Sequence, residues 1–173
     1  MAANSESTRT LIFTYGTLKH GFPNHNLMQD LISQNDAVYL GPFITQQPYP
    51  LECGLHGIPY LINLAGSGNR VKGELYSVSS RGLVRLDELE GTSIGHYDRL
   101  PIQVQSEDGA VSNDGEAYFA NSIFGERLWE KKGKVGMSEY SQRDGREYVR
   151  IGDRVIKSMS GSYVDDINSF LSS

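Results

Sequence analysis

Residues 11–24, LIFTYGTLKHGFPN, constrain the fold of this chain more than any other stretch. An apolar run is followed at once by Tyr15, Gly16, Thr17 and Leu18. An apolar run that is cut off by a glycine is typical of a buried strand that ends in a loop. Glycine lets the chain bend and lets a ligand approach the backbone, so the N–H groups of such a loop can bind an anion. We therefore predict that this loop binds one end of a small substrate.

The charge balance and the cysteine count limit the partners and the compartment. Sixteen basic residues against 21 acidic ones give a net charge of −5, and the basic residues are scattered, which argues against nucleic acid or an anionic membrane as a partner. A single cysteine excludes an internal disulfide framework and fits a reducing compartment. The sequence has no apolar secretion signal and no run of about 18 apolar residues. We therefore expect a cytoplasmic protein, and the sequence does not indicate its oligomeric state.

The length of the chain predicts one domain. We expect residues 1–9 to be disordered and residues 10–173 to form a single domain. Residues 132–145 are mostly glycine, lysine, serine and glutamate with little periodicity, so we expect a mobile loop there.

Local patterns predict a β-rich fold with several helices. Asn24 can cap a helix that runs to about residue 33. The N-terminus of this helix could lie near an anion, or the helix could serve only for packing. Helices are also predicted after Ser79 or Ser80, at residues 124–132 and at residues 164–171. Strands are predicted at residues 38–45, 58–64, 70–78, 97–106, 116–122 and 148–151. We expect the strand at 70–78 to form a hairpin with the segment before it.

The helix at residues 83–90 carries the acid that is best placed for chemistry. At about 100° per residue, its apolar side chains share a mean direction, and Glu90 lies only about 20° from that direction. Asp87 lies about 80° away and Glu88 is nearly opposite. Of the three acids, Glu90 alone is predicted to point inward.

An inward carboxylate must be neutral, hydrogen-bonded or beside a polar cavity, because burying an unpaired charge is costly. Desolvation, the helix dipole and the nearby Asp87 should all raise the pKa of Glu90 toward the working pH of a general acid or base. The alternative is that Glu90 only caps a backbone group at the end of the helix.

Other residue types give weaker signals. The four histidines show no zinc-ligand spacing with a cysteine or an acid, so no metal site is expected. Residues 91–95, GTSIG, match Gly-x-Ser-x-Gly, but they follow a predicted helix and precede a predicted strand. They therefore do not form the strand-to-helix nucleophile elbow, which argues against a serine hydrolase. Tyr97 closely follows the acidic helix, so its hydroxyl could reach the same cavity, or the residue could belong to the core.

Three blocks of the sequence, in order, resemble the γ-glutamylcyclotransferase-like superfamily. They are FTYGTLKHGFPNHNLM, IPYLINLAGSGNRVKGELYSV and LVRLDELEGTSIGHYDR. The chain looks most like the γ-glutamylaminecyclotransferases and the plant avirulence-induced proteins, and the resemblance covers roughly residues 10 to 125. Residues after that point match nothing recognisable in the family.

This resemblance implies an α+β fold, a small mixed β-barrel flanked by α-helices, with a cavity at the mouth of the barrel. It implies an enzyme in which the α-amino group of a γ-glutamyl amine or γ-glutamyl amino acid attacks its own γ-carbonyl, which releases 5-oxoproline and a free amine. The family's catalytic glutamate falls on Glu90, and the loop at residues 15–18 would hold the amino-acid end of the substrate. A small γ-glutamyl compound is the expected partner, and no metal or organic cofactor is required. The alternative is a non-catalytic binding or signalling protein on the same fold.

Overall fold

The computed structural model describes residues 8–173, so most of the segment predicted to be disordered lies outside the described residues. Arg9, which the prediction included in that segment, already belongs to the first strand. The described chain contains seven strands: β1 (Arg9–Thr14), β2 (Ala37–Thr45), β3 (Leu51–Cys53), β4 (Pro59–Leu61), β5 (Lys72–Ser79), β6 (Tyr97–Ser106) and β7 (Ser112–Ala120).

Five of the strands close into a barrel. The order β1-β5-β2-β6-β7 is completed by a parallel contact between β7 and β1, at Ile12 and Glu116, and the other pairs around the ring are antiparallel. Strands β4 and β3 extend the sheet beyond β7, where Leu61 lies opposite Phe119. The predicted small mixed β-barrel is therefore confirmed.

In residues 8–173, five α-helices accompany the barrel: α1 (His25–Ser33), α2 (Ser80–Glu90), α3 (Gly125–Lys131), α4 (Gln142–Gly145) and α5 (Tyr163–Ser172). Helix α2 follows β5 directly, because the Ser79 hydroxyl accepts the Gly82 N–H and starts the helix. It ends where Gly91 adopts the left-handed conformation, with φ of 66°. Both ends of this helix agree with the prediction.

The alternation of side chains along the strands divides the core in two. One cluster contains Phe13, Leu75, Val104 and Phe119 and takes no residue from α1, α2, α3 or α5, which places it inside the barrel. The other cluster contains the neighbouring strand residues, such as Ile12, together with the apolar faces of the helices, and lies between barrel and helices. Residues in both clusters are almost fully buried.

Several local predictions were wrong about strand extent or pairing. Strand β5 pairs with β1 and β2 and does not form a hairpin with the segment before it, because barrel closure places it between those two strands. The strand predicted at 58–64 is limited to Pro59–Leu61. Strand β7 begins at Ser112 because β6 and β7 form a tight hairpin, and residues 148–151 form no strand.

Residues 132–145, predicted to be a mobile loop, include the short helix α4. Within this segment Tyr140 is fully buried, and Met137 donates its N–H to the Leu51 carbonyl over 3.0 Å. The segment thus packs against the β3 side of the sheet, while its mobility stays a prediction.

Candidate active site

A cavity of about 520 Å³, including its open mouth, lies at the end of the barrel where β1 ends and β6 begins. Its walls come from the loop after β1, the end of α2, the start of β6, part of β7 and the segment after α4. The predicted site residues all line this cavity: Tyr15, Gly16, Thr17, Leu18, Glu90 and Tyr97. The structure therefore brings the predicted loop and the predicted acid together.

The loop after β1 is held by the side chain that opens it. The Tyr15 hydroxyl donates to the Tyr118 carbonyl over 2.6 Å and accepts the Leu61 N–H over 3.2 Å, which ties the loop to β7 and β4. Gly16 lies so close to Pro59 that a Cβ atom there would be 2.6 Å from the proline Cγ. Glycine is thus needed for close packing at this position.

Several backbone N–H groups of this loop have no hydrogen-bonding partner among the described residues. Within residues 8–173, the N–H groups of Gly16, Thr17 and Leu18 donate to no protein acceptor. The loop carbonyls are used, since Gly16 accepts from Lys19 over 3.2 Å and Thr17 accepts from Asn24 over 2.9 Å. Polar backbone groups beside a cavity need a partner, so these N–H groups can bind an anionic or carbonyl oxygen.

Glu90 is the last residue of helix α2 and lines the cavity. It lies on the same face of the helix as Leu86, one turn earlier, which is fully buried, so this face of the helix points inward. Among the described residues its carboxyl group forms no hydrogen bond and no ion pair, so the alternative that it only caps the helix end is not seen. Burial raises the pKa of Glu90 from 4.5 to about 8; the Arg154 charge opposes this rise and the Asp87 charge adds to it. The group can therefore exchange a proton near neutral pH.

The other acid in this turn, Asp87, is hydrogen-bonded to residues of the neighbouring strands. Its carboxylate accepts two hydrogen bonds from Arg99, over 3.0 and 3.2 Å, and a third from the Tyr118 hydroxyl over 2.6 Å. Arg99 also reaches Glu116 over 2.6 Å. This network fixes the end of α2 against β6 and β7 and so sets the direction of Glu90.

Aromatic residues form the rest of the floor. The Tyr97 hydroxyl donates to the Pro59 carbonyl over 2.6 Å, so its proton is already engaged and the residue contributes mainly its ring. His96 also lines the cavity and pairs with the Tyr60 hydroxyl over 2.6 Å. Burial, with help from the Arg154 charge, lowers the pKa of His96 to about 3, which keeps the imidazole neutral.

Sequence reasoning missed the part of the wall that follows α4. Tyr148, Ile151 and Arg154 line the cavity, and no periodic pattern or motif marks them. A short 3₁₀ turn, Ile151–Asp153, places Arg154. Asn24 was expected to cap α1, but its side chain donates instead to Thr17 Oγ1 and to the Tyr148 hydroxyl, each over 2.9 Å.

The described residues contain neither a metal-binding group of side chains nor a membrane-spanning helix. Over residues 8–173, no three His, Cys, Asp or Glu side chains are grouped so that they could hold a metal ion. In the same part of the chain no helix is long and apolar enough to cross a membrane.

The barrel holds an ionisable acid and free backbone donors in one cavity. This arrangement is typical of an enzyme whose substrate is a small molecule. The chain belongs to the family described as gamma-glutamyl cyclotransferase, AIG2-like, whose model matches residues 12–142. This membership confirms the resemblance of the sequence blocks and makes the protein an enzyme of the γ-glutamyl cyclotransferase type.

Individual relatives agree with this assignment. An Arabidopsis thaliana protein with the provisional name gamma-glutamylcyclotransferase is 45% identical over 179 residues, covering 96% of this chain and 94% of that protein. The gamma-glutamylaminecyclotransferase of Homo sapiens is 43% identical over 96 residues, covering 55% of this chain and 61% of that protein. The crystal structure of an AIG2-like protein from Mus musculus superposes with a TM-score of 0.68 at 29% identity, covering 87% of this chain and 97% of that one.

Proposed function

We propose that the protein releases 5-oxoproline and a free amine from a γ-glutamyl amine or γ-glutamyl amino acid, by attack of the substrate's α-amino group on its own γ-carbonyl. One observation carries this proposal. The carboxyl group of Glu90 and the N–H groups of Gly16, Thr17 and Leu18, all without a hydrogen-bonding partner among the described residues, belong to residues that line the same cavity. A base and a set of oxygen-binding donors are the two elements that an acyl transfer of this kind needs.

Glu90 is the base in this mechanism. As a carboxylate it accepts one proton from the substrate's α-ammonium group, which frees the nitrogen lone pair to form a bond to the γ-carbon. A pKa of about 8 suits this step, because the carboxyl can take up a proton and release it again near neutral pH. Burial, which raises this pKa, also strengthens the attraction between Glu90 and the ammonium group.

The loop holds the oxygens of the substrate. The N–H groups of Gly16, Thr17 and Leu18 bind the α-carboxylate of the glutamyl group, or the oxygen of the γ-carbonyl as negative charge develops on it. Because the attack is intramolecular and closes a five-membered ring, most of the rate enhancement comes from orientation. The contacts of Tyr15 and Gly16 with the sheet keep the loop rigid enough to provide it.

The second half of the reaction breaks the bond between the γ-carbon and the leaving nitrogen. Protonated Glu90 returns its proton to that nitrogen as the bond breaks. The ring nitrogen then loses its second proton through Glu90 to the departing amine, which leaves as an ammonium ion, and Glu90 is a carboxylate again. Water is not consumed, and the two products together contain all the atoms of the substrate.

The test compares Glu90→Gln with Glu88→Gln, an exposed acid two residues earlier on the same helix. Each variant is incubated with γ-glutamyl-ε-lysine, γ-glutamyl-alanine and glutathione, and 5-oxoproline is measured. Glu90→Gln should lower kcat/KM at least about 100-fold, the contribution of a general base, while Glu88→Gln should behave like the wild type. Near-normal turnover by Glu90→Gln would refute the role of Glu90. A wild-type protein that binds these compounds but converts none of them would instead favour a binding protein.

A further inference from the structure

The segment after α4 provides one wall of the cavity and carries hydrogen-bond donors that the mechanism above does not use. Tyr148 and Arg154 both line the cavity. They lie beyond residue 142, where the match to the family model ends. Their chemistry therefore concerns this chain and not the part of the fold that the family model describes.

Arg154 is held in one orientation. Its Nε donates to the Val149 carbonyl over 2.8 Å and its Nη2 donates to the Tyr148 hydroxyl over 2.9 Å. The guanidinium group lies over the rings of Tyr148 and Tyr163, at 5.3 and 5.1 Å from their centroids. An arginine held by such contacts loses little further conformational entropy when it binds a ligand.

Both side chains keep a donor for a ligand. Within the described chain, Arg154 forms no ion pair, and its Nη1 has no hydrogen-bonding partner. The Tyr148 oxygen accepts from Arg154 and from Asn24, so its own O–H remains to donate. Two adjacent donors with one positive charge match the geometry of a carboxylate.

The charged residues that line the cavity also favour an anionic group of the ligand. Of the described residues that line it, Arg154 is the only lysine or arginine. Its charge opposes the rise in the pKa of Glu90 and lowers that of His96, so it acts across the cavity on the reacting side. A cation without an acidic partner beside a cavity favours an anionic group of the ligand.

We propose that Tyr148 and Arg154 bind the carboxylate of the leaving group, so that the enzyme prefers γ-glutamyl amino acids to γ-glutamyl amines. This inference rests on the proposed function, in which the backbone of residues 16–18 takes the glutamyl end. The two binding elements are linked but separate: Thr17, Asn24, Tyr148 and Arg154 are joined by three consecutive hydrogen bonds of 2.9 Å each. One substrate can therefore contact the loop with its glutamyl end and the Tyr148–Arg154 pair with its other end.

The experiment uses two substrates that differ only in that carboxylate, γ-glutamyl-alanine and γ-glutamyl-ethylamine. The readout is the ratio of their kcat/KM values, because a change in the ionisation of Glu90 affects both substrates equally. The wild type should prefer γ-glutamyl-alanine. In Arg154→Gln the ratio should fall about 10- to 100-fold, the range expected when a charge-assisted hydrogen bond is removed. Arg146→Gln is the matched control, since Arg146 is exposed in the same segment and its side chain forms no hydrogen bond among the described residues.

An unchanged ratio in Arg154→Gln would overturn the proposal, whether both activities fall together or neither does. A fall of the same size in Arg146→Gln would also overturn it, because the effect would then come from net charge. Activity of Arg154→Gln on γ-glutamyl-ethylamine shows that the variant is folded. A wild-type protein that releases 5-oxoproline from neither substrate would refute the proposed function itself, which is a different result.

Discussion

Replacing Glu90 with glutamine should make the protein more stable at neutral and alkaline pH, even as it removes the proposed base. The folded state holds the pKa of Glu90 at about 8, against 4.5 for an ordinary glutamate. Between these two pH values the folded state binds more protons than the unfolded state, so the free energy of unfolding falls as the pH rises. The stabilising contribution of the protonated group is fully present below pH 4.5 and is lost by about pH 8.

The magnitude follows from the same pKa. Each pH unit inside this window costs 1.36 kcal/mol, so Glu90 lowers the free energy of unfolding by about 1 kcal/mol at pH 5 and about 3 kcal/mol at pH 7. Glutamine resembles the protonated acid and carries no such cost. These values are upper limits, since Glu90 is only partly buried and the carboxylate keeps some contact with solvent in the cavity.

The assay is urea unfolding of the wild type and of Glu90→Gln at pH 5, 7 and 8.5, with Glu88→Gln as the exposed control. The stability difference between Glu90→Gln and the wild type should grow by about 2 kcal/mol from pH 5 to pH 7, and that between Glu88→Gln and the wild type should stay nearly constant. If the curves for Glu90→Gln and the wild type run parallel across this range, the folded state does not raise the pKa of Glu90, and the reasoning fails.

Two further predictions concern the pH profile and the loop. The kcat/KM for γ-glutamyl-alanine should rise with pH through a midpoint near the pKa of about 8, because Glu90 must be ionised to accept a proton; a midpoint near 4.5 would contradict this. Gly16→Ala should lower stability by about 1 to 3 kcal/mol and reduce the release of 5-oxoproline, because its Cβ would lie 2.6 Å from the ring of Pro59. Thermal unfolding and the 5-oxoproline assay test the Gly16→Ala prediction. Normal stability and normal activity of this variant would show that the loop does not need to pack so closely against Pro59.

The placement of Glu90 in the cavity could be predicted because it depends on local periodicity. One helix carries a buried Leu86, an exposed Glu88 and a cavity-facing Glu90, and helical geometry fixes the angles between them. The helix ends were predictable for the same reason, since Ser79 and Gly91 act on the backbone next to them. The loop at residues 15–18 was equally local, since a glycine directly follows an apolar strand.

The pairing of the strands could not be predicted in this way. The apolar pattern of residues 70–78 shows that they form a strand, but it does not say which strands lie beside it. Strand β5 pairs with β1, about sixty residues earlier, because the sheet must close into a barrel and bury both faces. Such a choice depends on the whole sheet, whereas periodicity reports only the two faces of a single strand.

The segment that carries Tyr148 and Arg154 was missed for a different reason. It is largely irregular backbone, so its residues follow neither a helical nor a strand period, and in the sequence Arg154 looks like any charged surface residue. Its position depends on contacts with distant parts of the chain, such as the Val149 N–H with the His56 carbonyl over 2.9 Å. Only the folded chain shows that this arginine faces the cavity.

Contacts with other parts of the fold hold each of the three parts of the candidate site. Asp87 and Arg99 hold the end of α2, the Tyr15 hydroxyl holds the loop, and the Val149 carbonyl helps to hold Arg154. Within residues 8–173, each of these parts keeps a group without a partner beside the cavity: the carboxyl of Glu90, the N–H groups of residues 16–18 and Nη1 of Arg154. A fold that leaves these groups unpaired gives up some stability at this site, and a ligand that pairs with all of them recovers it as binding energy. For this reason Glu90→Gln should have both a higher free energy of unfolding than the wild type at neutral pH and a lower rate of turnover.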